Sequence, residues 1–301
     1  LCMNTKTTTL IFFTTLLILS CSIGKPHVVI QEVTVPGGQT VIGNDIDCSM
    51  YNAHIPDLHV AVYETNWDTF EKVINYGITK KYVTIKNGAI FPLTGLFPQY
   101  SNLIVDTTIC PEVTAIDDQK IVCVETERNK PVRNISWYGA ALFCNILSEM
   151  NGYKPCYDTS SWDIIPKTNG YRLPTFEEWE YLAREGSSTS DHLYSGSDDP
   201  YTVGWFAKNS QERTHNTGEL APNKLGIYDM SGNVNEFCTE TYKPVITSSK
   251  TKGSALLTSN RIWRGGSYSS DVMHVYGFRQ NINNPEYYMP FDDVGFRMVR
   301  Q

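Results

Sequence analysis

The last part of the chain concentrates side chains that are suited to binding a ligand. Between residues 268 and 294, six aromatic residues alternate with serine, asparagine, aspartate and histidine, and Arg279 is the only cation. Aromatic rings supply rigid contact area and small polar groups supply adaptable hydrogen bonds, a combination that is typical of antibody paratopes. The residues expected to form this ligand-binding face are Ser270, Asp271, His274, Tyr276, Asn281, Tyr287, Tyr288, Met289, Phe291 and Asp292.

Two alternatives for the segment 268–294 remain open. Its Asn-Pro and Asp-Asp pairs break any strand alternation, so an ordinary surface loop is the simpler alternative. A hydrolase would combine a serine with His274 and Asp271, but no sequence spacing fixes the geometry of such a triad. Binding is therefore favoured over catalysis for this segment.

The cysteines carry a second kind of chemistry. Of eight cysteines, none forms a Cys-x-x-Cys pair, so a thioredoxin-like or zinc-ribbon site is not supported. An even set in an exported protein suggests disulfides, and sequence proximity favours Cys144 with Cys156 and Cys110 with Cys123. Other pairings stay open. The six cysteines that follow the N-terminal segment are Cys48, Cys110, Cys123, Cys144, Cys156 and Cys238.

The N-terminal residues are typical of an export signal. Lys6 precedes a short apolar run that ends at Ser20-Cys21, which resembles a bacterial lipobox. We expect residues 1–21 to be a lipoprotein signal peptide with Cys21 lipidated, and residues 22–27 to be a linker. An ordinary export signal beside a structural cysteine is the alternative. Lipidation predicts an exported protein anchored to the bacterial membrane, at the outer-membrane cell surface.

Composition excludes several classes of function. The 301 residues carry 25 Lys and Arg against 32 Asp and Glu, a formal charge of −7, and no basic stripe of the kind that nucleic acid requires. No apolar run reaches the roughly 20 residues of a membrane-spanning helix. We expect one globular domain over 28–301.

Local signals predict three helices separated by irregular and strand-rich stretches. Each helix starts at a capping side chain, and the third has a Thr-x-x-Glu capping box formed by Thr175 and Glu178. The predicted helices run from Asn66 to Gly77, from Ser136 to Met150 and from Thr175 to about Arg184. The predicted strands are Val28–Val35 and His59–Tyr63, and 78–132 is a β-rich insertion with a hairpin turn at Asn87-Gly88.

Four collinear segments carry a family resemblance. They are 170–184 (GYRLPTFEEWEYLAR), 225–237 (LGIYDMSGNVNEF), 264–268 (RGGSY) and 295–297 (GFR), and 35–38 and 131–138 accompany them. In this order they resemble the formylglycine-generating-enzyme, or sulfatase-modifying-factor, domain. The resemblance implies an α+β, C-type-lectin-like fold of that type, loop-rich, with small twisted antiparallel sheets and two or three helices.

Within these motifs most residues are expected to build the scaffold. Arg172 suits an ion pair with Glu177 or Glu180 at a helix start, while Trp179 and Leu182 suit the core. The glycines are expected to allow positive φ or close backbone approach. They are Gly226, Gly232, Gly265 and Gly266.

The resemblance also concerns two metal sites of the family, one for copper and one for calcium. Enzymes of the family hold copper with two cysteine thiolates just after the Arg-Gly-Gly-Ser motif, where this chain has Ser270 and Val275, and no cysteine follows Cys238. Because Cu(I) needs soft ligands, we expect no oxidase activity and no required cofactor. A structural calcium ion is implied at the backbone oxygens of Ser231, Gly232 and Val234 with the carboxylate of Glu236. A carboxylate that accepts hydrogen bonds within a turn is the alternative.

A second resemblance concerns the C-terminal segment. Lectin-like proteins on this scaffold include the treponemal variable lipoproteins of diversity-generating retroelements, in which a final segment ending at Gly-Phe-Arg is diversified. The resemblance implies a non-catalytic surface lipoprotein whose ligand is a protein or glycan on another cell or surface, and no nucleic acid. A sulfatase-modifying oxidase and an envelope structural protein with one fixed partner are the alternatives.

Overall fold

The computed structural model describes residues 26–43, 50–93, 95, 104–186, 192–242, 260–272, 280–281 and 291–301. Its helices are α1 (Trp67–Thr79), α2 (Trp137–Met150), α3 (Phe176–Ala183) and the single turn α4 (Pro200–Val203), with a 3₁₀ turn at Glu125–Glu127. Within these ranges, no helix has the length and apolar character needed to cross a membrane.

Short strands make up the rest of the regular structure. They are β1 (Glu32–Val35), β2 (Gly38–Ile42), β3 (Tyr51–Ile55), β4 (Leu58–Ala61), β5 (Val83–Lys86), β6 (Ala89–Pro92), β7 (Val105–Asp106), β8 (Val113–Ile116), β9 (Lys120–Cys123), β10 (Gly204–Trp205), β11 (Ser231–Gly232), β12 (Asn235–Tyr242), β13 (Asn260–Arg264), β14 (Gln280–Asn281), β15 (Val294–Gly295) and β16 (Val299–Arg300).

The strands form small sheets, most of them antiparallel. The largest has the order β14-β13-β12-β15, in which β15 runs parallel to β12, and another has the order β1-β4-β16. The remaining sheets are β5-β6-β7, β2-β3, β8-β9 and the parallel pair β10-β11. The predicted α+β class with small sheets and few helices is confirmed.

The predicted N-caps are confirmed, whereas the predicted end of α1 is wrong. The Asn66 side chain accepts a hydrogen bond from the Thr69 N–H at 3.0 Å, and Ser136 caps α2 in the same way. Gly77 lies inside α1 rather than ending it. A Cβ atom there would meet Ile146 of α2 at 3.0 Å, so the glycine allows close packing of the two helices.

The first predicted strand is too long, because its pairing partner is short. Only Glu32–Val35 face β4, in a register that places Val35 opposite Leu58. Val28 is held instead by a side chain, since its N–H donates to Asn151 Oδ1 at 3.1 Å and its carbonyl accepts from Asn151 Nδ2 at 2.8 Å. The second predicted strand is likewise shortened to Leu58–Ala61.

The hairpin at Asn87-Gly88 is confirmed, and its strands belong to the main core. Both turn residues have positive φ, 51° and 78°, as the favoured two-residue hairpin turn requires. The apolar side chains of β5 to β9 pack with α1 and α2 in one cluster. Whether 78–132 is an insertion relative to the family stays a prediction.

Two hydrophobic clusters build the interior. The larger surrounds α2, of which every residue except Glu149 is buried. The smaller surrounds Trp179 and Leu182 of α3, both fully buried as predicted, and includes residues of β1, β4, β12 and β13. Helix α3 therefore lies against β13, which leads into the C-terminal segment, and Val299 of β16, which follows that segment, belongs to the same cluster.

The two disulfides favoured by sequence proximity are not formed. Cys110, Cys123, Cys144 and Cys156 are buried free thiols, with Cys123 Sγ donating to the Trp67 carbonyl at 2.9 Å and Cys156 Sγ donating to the Gly170 carbonyl at 3.2 Å. Burial raises the pKa of Cys110 to about 12, so its thiol stays protonated near neutral pH. Cys21 and Cys48 lie outside the described residues.

Candidate functional site: the framed C-terminal segment

Two buried arginines fix the two ends of the segment 268–294. Arg264 precedes the segment and Arg297 follows it, and they are 2% and 0% exposed. Arg264 Nη2 donates to Glu180 Oε2 at 2.9 Å, and Arg297 Nη2 donates to Glu236 Oε1 at 2.7 Å. Because Glu180 and Glu236 are also fully buried, each charge is compensated inside the protein.

Helix α3 contributes to both ends of this frame. Trp179 Nε1 donates to Glu236 Oε2 at 2.7 Å, and the adjacent Glu180 is the partner of Arg264. The predicted pairing of Arg172 with Glu177 or Glu180 is wrong, because Arg172 forms a bidentate pair with Glu178 at 2.6 and 2.8 Å. Glu178 is the capping-box residue, so its carboxylate points back toward the helix start.

A hydrogen-bonded hub joins the two ends of the segment directly. Asp293 Oδ2 accepts from Ser267 Oγ at 2.9 Å, from Asn235 Nδ2 at 3.1 Å and from Ser269 Oγ at 3.4 Å. Burial raises the pKa of Asp293, while the hydrogen bond from Ser267 acts in the opposite direction. The hub therefore closes the base of the segment.

A buried acidic group lies beneath this base. Glu64 accepts from Asn233 Nδ2 at 2.7 Å and from the Val234 N–H at 3.1 Å, and the Asn233 carbonyl accepts from the Tyr268 N–H at 2.8 Å. Burial raises the pKa of Glu64 well above its usual range, and nearby Asp229 adds to the effect. Burial likewise raises the pKa of Asp229 to about 6.

Half of the predicted ligand-binding residues lie within the described ranges. Asp271 and Asp292 are exposed, and Asn281 lies in β14 opposite Trp263. Ser270 is half-buried, because its hydroxyl accepts from the Ser267 N–H at 3.0 Å and its carbonyl accepts from the Ala207 N–H at 3.0 Å. The predicted residues that lie outside the described ranges are His274, Tyr276, Tyr287, Tyr288 and Met289.

Phe291 anchors the returning end of the segment. Its ring contacts Trp263 with centroids 5.3 Å apart, and its carbonyl accepts from the Asn134 N–H at 2.8 Å, just before α2 begins. Arg133 Nη1 donates to the Asp292 carbonyl at 3.1 Å. The exposed Asp292 side chain is thus carried on a fixed backbone.

A neighbouring loop packs against the start of the segment. Ser210 Oγ donates to the Tyr268 carbonyl at 2.7 Å, and the carbonyl oxygen of Ser210 lies 2.8 Å from His215 Nε2. The His215 ring stacks on Trp205 at 3.7 Å, beside the β10-β11 pair. Gly232 of β11 has the expected positive φ of 88°, and a Cβ atom there would clash with the Trp205 carbonyl.

The residues suggested for calcium do not fit that ion. Both oxygens of Glu236 accept hydrogen bonds from the Arg297 guanidinium, and Oε2 also accepts from Trp179. A cation at the same carboxylate would lie beside a buried positive charge, which is unfavourable in a medium of low polarity. Across the described ranges, no group of three or more His, Cys, Asp or Glu side chains is arranged to hold a metal.

The family's copper site does not fit this chain either. Ser270 has a hydroxyl that hydrogen-bonds to the local backbone, Val275 lies outside the described residues, and the sequence after Cys238 has no thiol. Hydroxyl and alkyl groups are poor ligands for Cu(I).

Several site residues have only a weak signal in the sequence. Asp293 directly precedes the motif Val294-Gly295-Phe296-Arg297, which is a cue that the ligand-face prediction did not use. Glu64 lies far from the segment in sequence, and no local pattern distinguishes it from an ordinary surface charge. Arg133 lies within the family-like segment 131–138, but that segment gives no sign of the contact between Arg133 and the Asp292 carbonyl.

The fold and the framed segment define a loop-rich α+β domain of the formylglycine-generating-enzyme type. The family model described as "Sulfatase-modifying factor enzyme 1-like domain" matches residues 24–301. The chain therefore belongs to this family.

Curated relatives include proteins named as a chaperone, as an enzyme and as an inactive enzyme. "Chaperone protein LppX" of Paenibacillus barcinonensis is 32% identical over 57% of this chain and 70% of its own length. The "Formylglycine-generating enzyme" of Mus musculus is 24% identical over 91% of this chain and 76% of its own length. The "Inactive C-alpha-formylglycine-generating enzyme 2" of Mus musculus is 30% identical over 38% of this chain and 33% of its own length. Family membership alone therefore does not imply catalysis.

A solved structure shares the fold over most of the chain. "Treponema denticola variable protein 1" is similar with a TM-score of 0.65 and 21% identity, covering 92% of this chain and 97% of that one. The predicted fold type is confirmed by this likeness.

Proposed function

We propose that this protein is a surface lipoprotein that displays a diversified ligand-binding site on the segment 268–294 and has no catalytic activity. The observation that carries the proposal is the frame around the segment. Arg264 and Arg297 are buried and paired with carboxylates at its two ends. The hydrogen bond from Ser267 to Asp293 joins those two ends of the segment. Between these points Ser269, Asp271 and Asp292 are exposed.

This arrangement suits a surface whose side chains vary. Loops carried on a rigid scaffold tolerate substitution, because their side chains contribute little to the core. Tyrosine and phenylalanine between the anchors would supply most of the binding energy. The fold shared with a protein named as variable supports this proposal, and the lipidated Cys21 would hold the protein on the membrane.

The lack of catalysis is supported by the missing sulfur ligands. A formylglycine-forming oxidase on this scaffold needs two thiolates after the Arg-Gly-Gly-Ser motif, and this chain has Ser270 and Val275 there. Incubation of the purified protein with copper and a cysteine-containing peptide should give no formylglycine by mass spectrometry. Formation of that product would overturn the proposal in favour of an oxidase.

A fixed-partner role is the second candidate function. The relative that is 32% identical is named a chaperone protein, which favours a constant protein partner over a variable one. Sequencing the 3′ end of the gene in sibling isolates separates the two candidates. Diversification predicts substitutions concentrated in codons for 268–294, whereas a fixed partner predicts a constant segment.

Binding measurements test the ligand-binding face itself. Wild type and the variant Tyr287→Ala/Tyr288→Ala are applied to arrays of surface proteins and glycans, and the double variant should lose binding of any ligand that wild type captures. The matched control is Tyr76→Ala/Tyr82→Ala, whose tyrosines donate to Glu149 near the C-terminal end of α2 and lie outside the segment 268–294. Equal binding by all three proteins would contradict the assignment of the face.

A further inference from the structure

The chain enters the described fold at a defined place. Val28 is held by two hydrogen bonds to Asn151, the residue that follows the C-terminal end of α2. Pro26 is five residues after Cys21 in the sequence. Because an extended residue spans at most about 3.6 Å, Pro26 would lie within roughly 18 Å of an acylated Cys21.

A cleft of about 640 Å³ with a mixed polar and apolar lining opens next to this position. Pro26 forms one side, α1 contributes Lys72, Tyr76 and Lys80, and α2 contributes Glu149. The Lys80 ammonium group lies 5.5 Å from the centre of the Tyr76 ring. The cleft is therefore lined by long cationic side chains and by an aromatic ring with a polar end.

The balance of charge at the cleft is positive although the whole chain carries −7. Lys72, Lys80 and the adjacent Lys81 are exposed. Lys72 is paired with Asp68, while Glu149 accepts hydrogen bonds from the hydroxyls of Tyr82 and Tyr76. The ammonium groups of Lys80 and Lys81 thus remain available to an anion that approaches from solvent.

Helix α2 separates this cleft from the ligand-binding face. The Phe291 carbonyl accepts from Asn134 just before α2 begins, and Val28 is held just after it ends. A helix of 14 residues is about 21 Å long. The entry of the N-terminal chain and the framed segment therefore lie at opposite ends of α2.

We propose that this cleft binds the phosphate-bearing headgroup of an anionic lipid, so that the C-terminal end of α2 faces the membrane and the segment 268–294 faces away. The proposal rests on the lipid anchor at Cys21 proposed above. Lysine stems lie along apolar surface while their ammonium groups reach phosphate, and tyrosine rings suit the boundary between lipid and water.

Residue-resolved labelling tests the proposal. The lipidated protein is placed in vesicles of phosphatidylglycerol and phosphatidylcholine, or of phosphatidylcholine alone, and lysine acetylation is followed by mass spectrometry. Lys72, Lys80 and Lys81 should be labelled more slowly in the anionic vesicles. The exposed lysines Lys167 and Lys208, which do not line the cleft, should be labelled at equal rates in both.

Charge variants give the contact a magnitude. Each lysine near an anionic surface raises the equilibrium constant for binding that surface by about five-fold. The variant Lys80→Gln/Lys81→Gln should therefore restore the labelling rate of Lys72 in anionic vesicles to its rate in phosphatidylcholine alone. The matched control Lys167→Gln/Lys208→Gln, which removes two exposed lysines outside the cleft, should leave Lys72 protected. Equal labelling of Lys72 in both vesicle types, or protection that survives Lys80→Gln/Lys81→Gln, would overturn the inference.

The same digest separates this inference from the proposed function. The mass of the N-terminal peptide reports whether Cys21 is acylated. Acylated protein with unprotected lysines would overturn the lipid-binding cleft and leave the proposed lipoprotein intact. Protein without acylation would overturn the proposed lipid anchor together with the lipid-binding cleft that rests on it, whereas the ligand-binding face is tested by the binding arrays.

Discussion

At the scale of single residues, the pair formed by Glu236 and Arg297 has a measurable stability consequence. The guanidinium group of Arg297 also donates to the carbonyls of Ala61, Val62 and Tyr228, so this side chain connects separate segments of the chain. Arg297→Met should lower the free energy of unfolding by about 3–5 kcal/mol, because it leaves a buried carboxylate without its counter-charge. Urea unfolding of the purified protein measures this.

The double variant Glu236→Gln/Arg297→Met is the control for this prediction. It removes both charges, so it should be less destabilised than Arg297→Met alone. Equal losses in the two variants would mean that the lost hydrogen bonds to backbone carbonyls, rather than the uncompensated charge, dominate the effect.

Asp229 should give the protein a pH-dependent stability. Burial raises its pKa from an ordinary value of 3.8 to about 6. Because the folded state then holds the proton more tightly than the unfolded state, this carboxyl stabilises the fold at low pH. Its contribution is lost as the pH rises through about 6.

The variant Asp229→Asn isolates this effect. Asparagine keeps an oxygen that can accept from the Gly218 N–H, as Asp229 Oδ2 does at 2.7 Å, but it does not titrate. The free energy of unfolding of wild type minus that of the variant should fall between pH 4 and 6. A flat or rising difference across this range would contradict the prediction.

The candidate site was only partly predictable from its residues. The motif arginines were identifiable as scaffold, yet the partner of Arg172 is Glu178 rather than Glu177 or Glu180. The capping box was predicted from the sequence, but its pattern does not reveal that the same Glu178 carboxylate also pairs with Arg172. Glu64 was missed because its contacts to Asn233 and Val234 join residues about 170 positions apart.

At the scale of elements, the start of α3 determines how the frame is positioned. The Thr175 hydroxyl accepts from the Glu178 N–H at 3.0 Å, and the Thr175 N–H donates to Glu178 Oε2 at 2.8 Å. Thr175→Ala should lower the free energy of unfolding by about 1 kcal/mol, while Thr175→Ser should have a smaller effect. Denaturant unfolding of both variants checks this, and equal losses would argue against the cap.

Helix starts were predictable because they depend on local chemistry. Asn66, Ser136 and Thr175 were each identified from a capping side chain followed by an apolar period, and each caps its helix. The extent of strands was not predictable to the same degree. The first strand is limited to Glu32–Val35 by the length of β4, and pairing between distant segments leaves no signal in the strand itself.

At the scale of the whole molecule, the two hydrophobic clusters meet at a polar seam. Trp179 belongs to one cluster and Phe296 to the other, while Glu236 and Arg297 lie between them. The seam also fixes the ends of the segment 268–294. We therefore expect stability to be concentrated in the frame and the clusters, with little contribution from the exposed side chains of Asp271 and Asp292.

Adjacent aspartates test this separation of stability from recognition. Asp292 is exposed, whereas the carboxylate of Asp293 accepts from Ser267, Asn235 and Ser269. Asp292→Ala should change the free energy of unfolding by less than about 0.5 kcal/mol, as for most surface substitutions. Asp293→Ala should lower it by about 1–3 kcal/mol, because it removes the carboxylate that accepts from the buried donors of Ser267 and Asn235. Thermal unfolding of both variants measures the difference, and an equal loss would mean that the exposed part of the segment is itself part of the folded core.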